Sequence, residues 1–370
     1  MIGVVLAAAL TAAQVQTIES TVHRRMADGQ IPSVVVRIDR DGTNVYARAF
    51  GYRNVPDRLP ATVQTRYQYG SITKQFTAAA ILSLADDARL SLDDRVGKWL
   101  PDFAKFNVTI RQLLIHTSGI ADFTGQEWYF KKDYSNPFVD SEPLLQWSAS
   151  QPLAFTPGTK AQYDNAAYVM LARIVEKASG KSFFGYLSER FLQPLGMTSV
   201  APQSFFRVRP DTALGYMFAA PEIASPLDLP EGTLLSALPW NMSQVDGAGF
   251  LVGDAADLQK WDNALLAHRV LKGEAEKLFY SAGTLDDGKL AYTGPENPAH
   301  RPGIYCYGGL ADFLLDATTV YGANGGTSGF LAFTGTVPSK HLSVTILTNH
   351  GADLDNSKLT LPILSALIGT

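Results

Sequence analysis

The strands of this chain stand at its two ends, with helices between them. Val34-Val35-Val36-Arg37-Ile38 reads as a strand, Asp41-Gly42 as a turn and Val45 to Phe50 as a second strand, which makes a hairpin near the N-terminus. In the last hundred residues, Thr318 to Ala323 and Gly329 to Gly335 read as strands around a glycine-rich turn. Leu342 to Leu347 alternates as a third strand, and residues 356–368 close with a helix. Strands at both ends require the termini to meet in one sheet while the middle forms a separate layer. The expected fold class is therefore α+β, an α/β sandwich. An antiparallel sheet built from N- and C-terminal strands is flanked by helices and carries an inserted, mainly helical lobe. Residues 18–70 and 246–370 would form the sheet lobe and 71–245 the helical lobe, with a cleft between them as the natural site.

Within the middle, Ser71 to about Leu84 reads as an amphipathic helix and Thr109 to Ile115 as a short one ending at Ser118-Gly119. A long helix follows Asn165, with Tyr168, Leu171, Ala172 and Val175 on one stripe and Gly180 past its end. Ala255 to Leu266 is helical again. Residues 121–150 read as irregular and aromatic, and residues 200–245 as proline-rich loop. Trp128, Tyr129, Phe130 and Trp240 are candidates for an apolar wall of the cleft, although such residues are as often core.

Composition removes several function classes. The 370 residues are 46% hydrophobic, enough for a large core, while charged residues are only 18% and the net charge is −4. With no basic run or aromatic-basic interleaving, nucleic acid is not an expected partner. Cys306 is the only cysteine, so neither an intrachain disulfide nor a cysteine-rich zinc site can form. The six histidines show no ligand spacing, and neither metal nor cofactor is expected. Met1 to Ala13 is apolar and small, with Thr11-Ala12-Ala13 placed for cleavage before Gln14. This resembles a short export signal and suggests a secreted or periplasmic protein without a stable membrane span. A terminal helix packed on the body is the other reading. Nothing in the sequence sets an oligomeric state.

Ser71-Ile72-Thr73-Lys74 carries the chemistry. It is the one place where lysine follows serine by three residues, and on a helix those positions share a face. Serine is a poor nucleophile without a base, which a deprotonated lysine can supply. A Ser–Lys site also needs a proton shuttle and backbone N–H donors for an oxyanion. Two Tyr-x-Asn runs offer the shuttle. Tyr134-Ser135-Asn136 precedes Pro137 and reads as a surface turn. Tyr163-Asp164-Asn165 follows Pro157-Gly158-Thr159-Lys160 and opens the long helix, which makes it the functional candidate. Asn324-Gly325-Gly326-Thr327-Ser328-Gly329 offers backbone that a substrate can approach closely.

With these pieces in order, the chain resembles the serine β-lactamase and penicillin-binding-protein superfamily, in its branch of class C β-lactamases, D-alanyl-D-alanine carboxypeptidases and related esterases. The resemblance runs from about residue 18 to 368. It includes Tyr69-Gly70-Ser71 through Thr77, Leu113-Leu114-Ile115-His116-Thr117-Ser118-Gly119, Pro194-Leu195-Gly196-Met197 and Thr345-Ile346-Leu347-Thr348-Asn349. It implies a β-lactamase/transpeptidase-like fold and a serine hydrolase that works through an acyl-enzyme on Ser71. Lys74 and Tyr163 would move the proton. Asn165 would bind Lys74 and substrate, and the N–H groups of Ser71 and Thr327 would hold the oxyanion. Asn324, Gly325, Gly326 and Thr327 would line the substrate, a small ester, amide or peptide. His116 would be structural.

The family's third motif opens with Lys or His, and here Asn324 is read in that place. A charge-assisted hydrogen bond is worth roughly 1.5–3 kcal/mol, so anionic β-lactams should be poor substrates. The same loss motivates the alternative of a non-catalytic, penicillin-binding-like protein that binds peptides or a protein partner. A Ser-His-Asp hydrolase is set aside because no Gly-x-Ser-x-Gly elbow is present.

Overall fold

The end segments pair in one antiparallel sheet. A computed structural model describes residues 9–28, 31–133, 135–204, 209–219, 229–230, 232–294, 303–351 and 356–369. The strands of the large sheet are β1 (Ser33–Arg40), β2 (Thr43–Asn54), β3 (Leu59–Pro60), β4 (Ile304–Tyr305), β5 (Ala311–Leu315), β6 (Thr318–Thr327), β7 (Phe330–Val337) and β8 (Leu342–Thr348). Their order is β3-β2-β1-β8-β7-β6-β5-β4, so the first and last long strands lie side by side, Val36 opposite Ile346. Five helices of twelve residues or more accompany them: α1 (Ala12–Asp28), α2 (Thr73–Asp86), α3 (Asn165–Ser179), α4 (Ala255–Leu266) and α5 (Ser357–Ile368). Residues 1–8 of the expected export signal lie outside the described residues, and Ala12 and Ala13 open α1.

Each sheet face has its own core. Val34, Val36 and Ile38 of β1 and Val344 and Ile346 of β8 meet Ile18 and Val22 of α1 and Ile363 and Leu367 of α5. Each such side chain contributes about 1.5–3 kcal/mol when fully buried. Val35, Ala332 and Leu347 face the other way and join the core of the helical side. The alternation in Leu342-Ser343-Val344-Thr345-Ile346 does not mark a solvent face. Ser343 and Thr345 are buried under α4, where the Gln259 amide donates to the Ser343 carbonyl (2.8 Å) and Thr345 Oγ1 donates to Gln259 Oε1 (3.2 Å). The Thr334 hydroxyl donates to Asp262 in the same seam.

Helix α2 departs from its expected amphipathic form, since every residue from Thr73 to Leu84 is buried. It runs through the middle of the molecule, with Phe76 stacked on Trp261 of α4 at 4.0 Å. Polar residues in a helix buried all round need partners; among the described residues the Ser83 hydroxyl lacks one, while others have them. Thr77 Oγ1 donates to the Gly247 carbonyl (2.6 Å), Gln75 Oε1 accepts from Trp261 Nε1 (3.0 Å), and Lys74 has its own set described below. Residues 121–150, expected to be irregular, contain helices at Glu127–Lys132 and Ser141–Ser150. Asp140 caps the second through the Glu142 N–H, a start signal present in the sequence. Of the aromatic residues assigned to a cleft wall, Tyr129 is core, Trp128 and Trp240 pack partly buried against it, and Phe130 is exposed. Tyr129 is fully buried, donates to Gln244 Oε1 (2.7 Å) and accepts from Trp240 Nε1 (2.6 Å), while Trp128 packs on Trp147.

No helix of the described residues is long and apolar enough to cross a membrane.

Candidate active site

Ser71 sits in a single 3₁₀ turn, Gly70–Ile72, that leads directly into α2. Its placement depends on two close backbone approaches. Gly70 has φ +53°, and a Cβ there would lie 2.8 Å from the Gly326 nitrogen. A Cβ on Gly325 would lie 1.9 Å from the Tyr69 carbonyl oxygen and 3.2 Å from the Ser71 nitrogen. Two glycines thus let β6 run against the turn that holds the serine.

Around Ser71 Oγ stand the expected partners. Tyr163 Oη lies 2.5 Å away and Lys74 Nζ 3.2 Å away. Lys74 Nζ also donates to Asn165 Oδ1 (2.8 Å) and to the Ala248 carbonyl (2.9 Å). An sp³ nitrogen has three non-carbon directions, and these three contacts use all of them. Burial brings Lys74 down from the ordinary lysine range to about 7, with Asp122 and Asp164 opposing. Burial pushes the Tyr163 phenol up, only partly offset by its bond to Ser71. Lysine is therefore the group with a sizeable neutral fraction near pH 7, while tyrosine keeps its proton.

Tyr163 is held from behind. The His116 ring lies under it at 4.8 Å, and Tyr168 and Tyr305 close around the imidazole at 5.1 and 4.6 Å. His116 Nδ1 accepts from the Asp164 N–H (3.1 Å). Burial, then the neighbouring Lys74, drives its pKa well below the usual histidine value. It is a neutral packing group, in keeping with a structural role. Asp164 caps α3 through the Ala167 N–H (3.0 Å). Tyr134, of the other Tyr-x-Asn run, lies outside the described residues; its Asn136 carbonyl accepts from Asn241 Nδ2 (2.8 Å).

The third motif needs correction. Residues 324–327 are not a turn but strand, because β6 continues to Thr327, which pairs with Phe330 across the two-residue connection Ser328-Gly329. Such a connection closes only if the flanking pair exchanges both backbone bonds, so the Thr327 N–H is directed at Phe330 and away from Ser71. Bonding alternates along the ladder, which turns the N–H and C=O of Asn324 and Gly326 outward. Strand β5 ends its pairing at Ala311 opposite Gly322, so that outward edge is open beside the serine. The strand donor facing the nucleophile is Gly326, not Thr327.

Side-chain alternation moves the expected charge position as well. A Cβ on Gly322 would meet the rings of Phe333 and Phe313 on the outer face, and Asn324 shares that parity. Gly325, which abuts Tyr69 and Ser71, shares its parity with Ala323. The side chain on the serine's side of the sheet is thus the Ala323 methyl, and Asn324 points the other way.

A cavity of about 930 Å³ opens at Ser71 and passes Tyr305, Leu310 and Ala311 over the end of β5, so that Gly322, Ala323 and Asn324 all line it, from both faces of the strand. Among the described lining residues, Lys74 is the one charged side chain. Trp128, Tyr129, Phe130 and Trp240 do not line it.

Sequence reasoning missed three participants. Ala248, in the short buried helix Asp246–Gly249, presents the carbonyl that holds Lys74. Asp122 and Thr124 stand behind Asn165. A backbone acceptor leaves no signal in a sequence. Asp122 had one, as the residue starting the 3₁₀ turn Phe123–Gly125, whose Thr124 N–H its carboxylate accepts (2.9 Å).

Comparison with protein families matches the Beta-lactamase family over residues 18–366. Among curated proteins, penicillin-binding protein 4* of Bacillus subtilis is 28% identical over 256 residues, covering 67% of this chain and 55% of that protein. Protein flp of Staphylococcus aureus is 32% identical over 210 residues, 54% of this chain and 41% of that one. The chain spans about half the length of these relatives. Among solved structures, a D-stereospecific amidohydrolase from Streptomyces sp. is 26% identical with a TM-score of 0.77, covering 97% of this chain and 99% of its own.

Proposed function

The chain belongs to the Beta-lactamase family, and from that premise we propose that it is a serine hydrolase cleaving esters or amides of uncharged acyl compounds through an acyl-enzyme on Ser71. The observation that carries this reading is the Lys74 nitrogen held by Asn165 Oδ1 and the Ala248 carbonyl with its third direction on Ser71 Oγ. In the neutral amine, two N–H bonds occupy the two acceptors and the lone pair faces the serine hydroxyl.

The amine takes the Ser71 proton as Oγ bonds to the substrate carbonyl carbon. The N–H groups of Ser71 and Gly326 receive the oxyanion. The Tyr163 hydroxyl gives its proton to the leaving group, and the resulting phenolate takes back the proton that the Lys74 ammonium carries. Water then releases the acyl group by the same route in reverse. Tyr163 suits this relay because its phenol, partly exposed at the cleft but shielded around its oxygen, has its pKa pushed up and stays able to donate.

The preference for an uncharged substrate rests on the methyl at Ala323 and on the scarcity of charge around the cavity. The similarity to a D-stereospecific amidohydrolase supports amides of D-amino acids as one class to test. Wild type and Ser71→Ala should be compared on a chromogenic short-chain ester, a D-amino-acid amide and nitrocefin. Ser71-dependent turnover of the ester or amide, well above that of nitrocefin, is the expected pattern. Absence of Ser71-dependent turnover on all three would favour the other reading, a binding protein for peptides or a protein partner, which the uncharged β6 edge motivates.

A further inference from the structure

The amide of Asn165 can face Lys74 in two ways, and only one presents oxygen. Behind it, Asn165 Nδ2 donates to Thr124 Oγ1 (2.9 Å). The Thr124 hydroxyl in turn donates to the Asp122 carboxylate, 2.9 Å from both oxygens. The Asp122 Oδ2 atom also accepts the Asn165 backbone N–H (3.0 Å), and Oδ1 the Thr124 N–H (2.9 Å). Every hydrogen-bonding group around this carboxylate is a donor.

We propose that Asp122 and Thr124 are positioning residues that fix the polarity of a hydrogen-bond chain, Asp122–Thr124–Asn165–Lys74, and so aim the lysine lone pair at Ser71. The reasoning is directional. A carboxylate can only accept, so it claims the single Thr124 hydroxyl proton. The threonine oxygen is then left as an acceptor and must face the NH₂ of Asn165. Asn165 Oδ1 is thereby committed to Lys74, which must spend an N–H on it. The Ala248 carbonyl claims a second N–H, and Ser71 receives the third direction. If the chain ran the other way, Asn165 would present N–H to the lysine, capture the lone pair and compete with the serine.

The proposal rests on the hydrolase reading, and its test separates the two. The groups facing Lys74 are Ser71, Asn165 and Ala248 within hydrogen-bond reach, the rings of Tyr163 and Tyr168 at 4.7 and 5.4 Å, and beyond them His116, Asp122 and Asp164. The measurement is the rate of Ser71 acylation by a fluorophosphonate against pH, for wild type, Asp122→Asn, Thr124→Val and Thr124→Ser. Thermal unfolding of each variant is followed alongside.

Asp122→Asn replaces an acceptor by a group that also donates, which lets the chain reverse. A drop in the plateau rate of about 10- to 100-fold is expected, the equivalent of one hydrogen bond to a charged group. The acid limb should also move to lower pH, because the carboxylate that favours the Lys74 ammonium is gone. Thr124→Val should lower the plateau with less movement of the limb, and Thr124→Ser should recover most of the loss. A purely structural role would lower the plateau with the limb in place and would follow the unfolding temperature. Wild-type plateau rates in both Asp122→Asn and Thr124→Val, or an unmoved limb in Asp122→Asn, overturn the proposal while leaving the hydrolase intact. No acylation of Ser71 in the wild type overturns both.

Discussion

The side chains of Ser71, Lys74, Tyr163 and Asn165 were legible in the sequence because their spacing is local: a 3₁₀ turn running into the first turn of α2 for the first pair, one helix start for the second. What the sequence could not give was the register of β6. Asn324 and Ala323 are neighbours in the chain but lie on opposite faces of the sheet, and only the surroundings of Gly322 and Gly325, which share their parities, tell which faces the serine. This yields a paired prediction. Ala323→Lys introduces a cation on the serine's side and should raise kcat/KM for nitrocefin by roughly tenfold or more, the size of a charge-assisted bond. Asn324→Lys places its charge on the outer face and should change the same constant by less than about threefold. Equal gains from both would contradict the register. The pH dependence follows from Lys74, whose pKa is lowered to about 7. The base form accumulates as pH rises through that value, so kcat/KM for a neutral ester should climb across pH 6–8 and level off above it. A flat profile over that range would remove lysine as the base.

At the scale of elements, the site is an approach between one strand and one helical turn. Gly325→Ala should be expressed and folded but acylate Ser71 at least about 100-fold more slowly, because its methyl would lie 1.9 Å from the Tyr69 carbonyl and must push β6 away from the nucleophile. Wild-type acylation by this variant would mean that β6 supplies nothing to the reaction. Below the site, α4 meets the sheet through a polar seam rather than an apolar one. The buried Asp262 carboxyl is raised from 3.8 to about 8 by burial, with the Thr334 bond lowering and Asp39 raising it. A folded-state pKa above the unfolded value means that the folded protein binds the extra proton. The associated stability is full below about pH 4 and is lost as pH rises through about 8. Denaturant titrations from pH 5 to 9 should show stability falling in the wild type, and Asp262→Asn should flatten that fall. An unchanged slope in the variant would assign the pH dependence to another group. This seam also explains the alternation along β8: Ser343 and Thr345 are polar yet buried, and only the position of Gln259 and Asn263 shows it. The helix at Ser141–Ser150 was missed for the opposite reason, since its capping Asp140 was present but was outweighed by the aromatic, proline-containing segment before it.

For the molecule as a whole, strands at both ends were enough to foresee one antiparallel sheet closed by first and last segments, because a buried strand must pair its backbone on both edges, as β1 does with β2 and β8. The match to the Beta-lactamase family over residues 18–366 agrees with that architecture. The path of residues 306–310 was not foreseeable. This loop leaves the sheet after β4 and comes against α2 at Lys74, and in doing so it leaves the edge of β6 open beside Ser71. Sheet, buried helix and open edge together present one serine hydroxyl to one neutral amine, and that is the central claim. The most direct test is mass spectrometry of the intact protein after a fluorophosphonate at pH 8, with peptide mapping, for wild type, Ser71→Ala and Lys74→Ala. A single adduct on Ser71, absent from Ser71→Ala and formed at least about 100-fold more slowly in Lys74→Ala, is the predicted result. An unlabelled wild-type Ser71, or a Lys74→Ala protein labelled at the wild-type rate, would contradict it.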